Sequence, residues 1–94
     1  MKTFTQKIGD REVTVTVVRL PLQPNRPYEQ VITATCGEHK ITHRMTHDPS
    51  NFKAEDVRKE IDRVVQEKAA EVAKMADVAA FLDEYHEEEA PKPE

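Results

Sequence analysis

Residues 52–86 read FKAEDVRKEIDRVVQEKAAEVAKMADVAAFLDEYH, and this stretch decides the fold because it predicts one long helix. No Gly or Pro lies between Asn51 and Ala90, and strong helix formers outnumber the β-branched residues. Asn51 is expected to cap the first turn, and two acidic residues follow at the positive end of the helix dipole. We therefore predict a helix over residues 51–86.

Apolar residues recur along this helix at intervals of three and four, so one face is expected to lie against a core. This stripe consists of Ala54, Val57, Ile61, Val64, Val65, Val72, Met75, Ala79 and Leu82. Lys68 is a charged residue at the centre of the stripe, where an apolar residue is expected. An isolated polar residue of this kind can set the register between paired helices.

The first 47 residues alternate in polarity and predict a sheet of two hairpins. The predicted strands are 2–8, 11–18, 30–36 and 41–47. Gly9 and Asp10 suit a two-residue type II′ turn, which pairs Phe4 with Val15. In the second hairpin we expect a longer turn over 37–40, with Cys36 opposite Ile41.

The two hairpins place apolar residues on one face of the sheet and threonines on the other, which is usual for an antiparallel sheet. The fold class predicted is α+β, a four-stranded antiparallel meander with one long C-terminal helix across one face. We expect a single domain over 1–88, with the sheet in 1–47 and the helix in 51–86. An acidic, disordered tail is expected over 89–94.

At a rise of about 1.5 Å per residue, the predicted helix is about 48 Å long from Ala54 to Tyr85, which is longer than the sheet that it covers. About sixteen residues cross a four-stranded sheet, so the part after Lys68 is expected to project, although it is apolar on several sides. Cover from a second copy is the favoured explanation, and fraying of the helix end is the alternative. The predicted dimer interface consists of Ala69, Val72, Ala73, Met75, Ala76, Ala79 and Leu82.

A metal site is the second possibility that the sequence raises. Its candidate ligands are Cys36, His39, His43 and His47. On a helix the three histidines would share one face, but on a strand neighbours in this series lie about 13 Å apart. We therefore expect no metal site within one chain, and His43 is interpreted as a core histidine. A site shared between subunits stays open.

A partner protein has two candidate contact surfaces in the first half of the chain. Three prolines within PLQPNRP, at 21–27, predict a stiff loop, which is either a simple connection or an arm that carries Arg26 and Tyr28 to a partner. The outer face of the sheet offers Thr33, Thr35 and Arg44. That face is expected to carry no aromatic residue for stacking on bases, so we expect no nucleic-acid partner.

Charge is unevenly divided between the two halves. Residues 1–53 hold eight Lys and Arg against five Asp and Glu, a net +3, whereas 54–94 hold six against thirteen, a net −7. This division is either a solvated helix face with an acidic tail or a means of steering subunits together. A single cysteine and the lack of a long apolar run predict a cytoplasmic protein with no membrane partner.

Signals for catalysis are weak. Only two glycines occur, both in turns, which excludes a Gly-rich phosphate loop, and the one serine is expected at the helix start. We predict no enzyme activity and no cofactor. The leading hypothesis is a non-catalytic interaction protein, a small accessory or inhibitory homodimer joined through its helix. The alternative is a metal or small-ligand binder that uses the His and Cys residues across an interface.

Overall fold

The computed structural model describes residues 1–89, with side chains described to Tyr85. Its elements are β1 (Lys2–Ile8), β2 (Arg11–Arg19), β3 (Tyr28–Cys36), β4 (His39–His47), a 3₁₀ turn (Pro49–Asn51) and α1 (Ala54–Glu89). The strands form one antiparallel sheet in the order β1-β2-β3-β4, and α1 packs on it. The predicted α+β fold is confirmed. Apart from Glu89, the predicted tail 89–94 lies outside the described residues.

The first hairpin has the predicted register. Phe4 lies opposite Val15 and Lys7 opposite Glu12. Gly9 has a φ of +62°, whereas Asp10 has no positive φ, and this combination fits a type II′ turn. The glycine supplies a backbone conformation that other residues rarely adopt.

The second hairpin has a shorter turn than predicted, and its expected register was wrong. Cys36 lies opposite His39 rather than Ile41, because only Gly37 and Glu38 form the turn. Gly37 has a φ of +63°, so it repeats the role of Gly9. The register differs from the predicted one by two residues. Since side chains alternate with a period of two, each residue stays on its predicted face.

The core lies between the inner face of the sheet and one side of α1. On the sheet it contains Val13, Val15, Ile32, Ala34, Cys36 and Met45, all buried. On the helix it contains Val64, Val65, Ala69, Val72, Ala73 and Ala76. The helix therefore stays in contact with the sheet well beyond Lys68, and the prediction that it projects from Lys68 was wrong.

The direction of α1 explains this longer contact. Phe52, just before the helix, packs edge-on against Tyr28 and His47 at one end of the sheet. Asp77 forms an ion pair with Arg11, which lies beside the Gly9 turn at the other end. The helix thus runs along the strands, antiparallel to β4, and not across them. From Ala54 to Asp77 it covers about 36 Å, comparable with a nine-residue strand of about 30 Å.

The helix begins later than predicted, and Asn51 is not its cap. Asn51 closes the 3₁₀ turn, its N–H donating to the carbonyl of Asp48 at 3.1 Å. The Asp48 carboxylate caps this turn by accepting from the backbone N–H of Ser50 at 3.0 Å and from its hydroxyl at 2.9 Å. The backbone bond first and the hydroxyl bond second lower the pKa of Asp48, because both favour the charged carboxylate. Ser50 serves this turn, and α1 starts at Ala54.

Candidate functional site

The predicted dimer interface divides into buried and exposed residues. Ala69, Val72, Ala73 and Ala76 are buried against the sheet of their own chain, so they are not accessible to a second copy. These four positions are therefore removed from the predicted interface. Ala79 is half-buried, while Met75 and Leu82 are exposed.

The exposed apolar residues of α1 form a second stripe on its surface. Met75, Val78, Leu82 and Tyr85 are 41%, 46%, 42% and 50% exposed, and we call these four residues the apolar ridge. Phe81 lies beside the ridge, is 61% exposed and stacks on the Tyr85 ring at a centroid distance of 6.1 Å. Large apolar residues at this density make the apolar ridge a candidate contact surface.

The spacing of the apolar ridge is that of a coiled coil. Its members follow one another at intervals of three, four and three residues, which is the a and d pattern of a heptad. Lys68 and Glu71 continue the same pattern towards the middle of the helix. Their side chains pair with each other at 3.2 Å, and that of Lys68 is only 18% exposed. The heptad positions are therefore polar at Lys68 and Glu71 and apolar from Met75 onwards.

The residues predicted to contact a partner protein do not share one surface. Thr33, Thr35 and Arg44 lie on the outer face of the sheet, where Arg44 donates to the carboxylate of Glu29 at 2.8 Å. Arg26 is exposed in the proline-rich loop. Tyr28 belongs to β3 and lies on the inner face, with its ring 5.6 Å from that of Phe52. Its pairing with the aromatic ring beside the helix start removes it from the predicted arm.

The candidate metal ligands lie along one side of the sheet. Cys36 and His39 are directly paired across the hairpin, and His43 and His47 follow along β4 on the same inner face. Within residues 1–89, no group of three or more His, Cys, Asp or Glu side chains is arranged to hold a metal ion. His47 is 7% exposed, and its Nε2 lies 3.0 Å from the amide nitrogen of Gln30.

Sequence reasoning missed a groove of about 860 Å³ beside the start of α1. It lies between the first turns of α1 and the inner face of the sheet, where β1 begins, β2 ends and β3 begins. Its apolar lining includes Phe4, Val17, Tyr28, Phe52, Val57 and Ile61. Lys2, Arg19 and Arg58 also line the groove. Part of the signal for it was present, since alternation places Lys2 on the inner face of the predicted sheet, whereas Arg19 lies one residue beyond the predicted strand 11–18.

Comparison of the chain with protein-family models, curated protein sequences and solved structures gives no match. No helix in the described part of the chain has both the length and the apolar character needed to span a membrane.

Proposed function

We propose that this protein is a non-catalytic protein–protein interaction module that acts as a homodimer, joined by the apolar ridges of two C-terminal helices. The observation that carries the proposal is the heptad spacing of four large, exposed apolar residues, three of which lie beyond Ala76, the last helix residue of the core. Burying such residues against a second helix removes apolar surface from water. A twofold pair is the commonest way to do so.

The charges of the helix end favour an antiparallel pair. Residues 83–89 hold five Asp and Glu and no Lys or Arg. In a parallel pair these segments would lie side by side and repel each other. In an antiparallel pair centred near Ala80, Val78 meets the partner's Leu82, and residues 83–89 lie beside the partner's 71–77. That segment contains Lys74 together with Glu71 and Asp77, a net charge of −1 against −5 for residues 83–89, so the repulsion between the two helices is weaker than in a parallel pair.

The size of the ridge sets the expected strength. Each copy contributes about half of five large side chains, on the order of 400 Å². The pair then buries roughly 800 Å², which is below the ~1,200 Å² of stable specific complexes and in the range of weak, transient ones. We therefore propose a reversible dimer with a dissociation constant in the micromolar range, about 8 kcal/mol of binding free energy.

Reversing the charge at Lys74 tests the antiparallel arrangement. Lys74→Glu places a carboxylate beside the acidic end of the partner helix, so we expect the dimer dissociation constant to rise about tenfold, equivalent to ~1.4 kcal/mol. The measurement is sedimentation equilibrium at low ionic strength, where surface charges are least screened.

Lys59→Glu is the matched control, because it makes the same charge change on an exposed turn outside the proposed overlap. We expect its dissociation constant to match that of the unaltered chain. An equal effect of the two substitutions, or tighter association with Lys74→Glu, would contradict the antiparallel arrangement.

A further inference from the structure

The groove beside the start of α1 has the size of a small-molecule site. Its volume of about 860 Å³ lies within the range of roughly 300–1,000 Å³ that is typical of ligand pockets. Phe4 and Val17 form part of its sheet side, and Val57 and Ile61 form part of its helix side. An apolar molecule of moderate size can therefore leave water by entering it.

The polar side chains on one side of the groove, Gln30 and His47, are hydrogen-bonded to each other. Their nitrogens lie 3.0 Å apart, and His47 is almost fully buried. The Phe52 ring stands edge-on to His47, with their centroids 6.3 Å apart. Because these polar atoms already have partners, the apolar body of a ligand can lie against this side of the groove without leaving a buried group unpaired.

The charges around the groove are mainly positive. Lys2, Arg19 and Arg58 line it, and none of the three forms a salt bridge with an acidic side chain in the part of the chain that the structure describes. The acidic residues on the lining are Glu29 and Asp62, and the Glu29 carboxylate is bound by Arg44. In a protein with a net charge of −4, this local excess of cations is a departure from the rest of the surface.

From this combination we propose that the groove binds a free, monomeric apolar monocarboxylate, with its hydrocarbon part between Phe4, Val17 and Ile61. Arginine is suited to hold a carboxylate through two parallel hydrogen bonds, so Arg19 and Arg58 are assigned to the acid group. The site lies at the opposite end of the helix from the apolar ridge. It is independent of the proposed dimer, and either proposal can fail without the other.

Titration with decanoate, followed by calorimetry below its micelle concentration, tests this site. We expect decanoate to bind, and decanol, which has the same chain without the charge, to bind at least tenfold more weakly. Arg19→Gln and Arg58→Gln are each expected to weaken decanoate binding about tenfold or more, as loss of a charge-assisted bond of roughly 1.5–3 kcal/mol implies. Ala54→Trp, which fills the groove without changing its charge, is expected to abolish binding.

Arg63→Gln is the matched control. Arg63 is on the same helix, does not line the groove and donates to Glu67 at 2.7 Å, so its substitution should leave decanoate binding unchanged. Circular dichroism confirms that each variant is folded. Equal binding of decanol and decanoate, equal loss with Arg63→Gln, no decanoate binding, or binding only to anionic vesicles would each overturn the proposal.

Discussion

Replacement of Leu82 by lysine is expected to convert the protein into a monomer, with a dimer dissociation constant raised at least 100-fold. Leu82 is at the centre of the apolar ridge, where the proposed pair brings it against the partner's Val78. The change removes two leucines per dimer, and burying the exposed 42% of each is worth on the order of 1 kcal/mol. It also places two charges between apolar side chains. Sedimentation equilibrium of the variant checks this expectation.

Ala80→Lys is the control for this experiment. Ala80 is exposed two residues before Leu82, but it lies outside the heptad positions of the apolar ridge. The same charge at Ala80 should therefore leave association almost unchanged. Neither substitution should lower the stability of the individual folded subunit, because both positions lie beyond the part of α1 that packs on the sheet. The melting temperature of each variant checks this. Equal loss of association in the two variants would show that the ridge is not the contact surface.

Truncation of Ile32 to alanine is expected to lower the free energy of unfolding by about 3 kcal/mol, within the usual range of 2–5. Ile32 is fully buried in β3, with Val17 and His43 opposite it on the neighbouring strands and α1 packed over the sheet. Removing three carbon atoms leaves a cavity that the surrounding strands cannot fill by relaxation. For a chain of 94 residues this corresponds to a drop in melting temperature of roughly 12–24 °C.

Thr33→Ala supplies the comparison for Ile32. Thr33 is the next residue on β3 and lies on the outer face, where the expected change in unfolding free energy is within about 0.5 kcal/mol. Urea unfolding of both variants gives the two values, and the slope of unfolding against urea should stay constant. Similar losses at both positions would contradict the assignment of the inner face to the core.

The sheet was predictable because its sequence signals are local. Gly9 and Gly37 both mark turns that require a positive φ at the first central position, and apolar and polar residues alternate on each side of them. The predicted register of the second hairpin is wrong because it assigns four residues to the Gly37 turn, which contains two. The Gly-Glu pair of this turn matches the Gly-Asp pair of the first. An error of two residues leaves the face of each side chain unchanged, so the core on the sheet was still correctly predicted.

Two features were harder to predict: how far along α1 the contact with the sheet extends, and which residues line the groove. Periodicity shows that α1 has apolar sides, but it does not show in which direction the helix crosses the strands. Val72 and Val78 look alike in sequence, yet the first is buried by the sheet and the second is exposed. The groove depends on three separate strands and the first turns of α1. Lys2 and Arg19 therefore read as ordinary strand ends until the fold brings them together with Arg58.

Sedimentation equilibrium of the unaltered chain, over concentrations from about 1 μM to 1 mM, tests the proposed dimer most directly. The proposal predicts a mass that rises from the 10.8 kDa of one chain towards twice that value, with a midpoint in the micromolar range. A mass of 10.8 kDa at every concentration would contradict association through the apolar ridge.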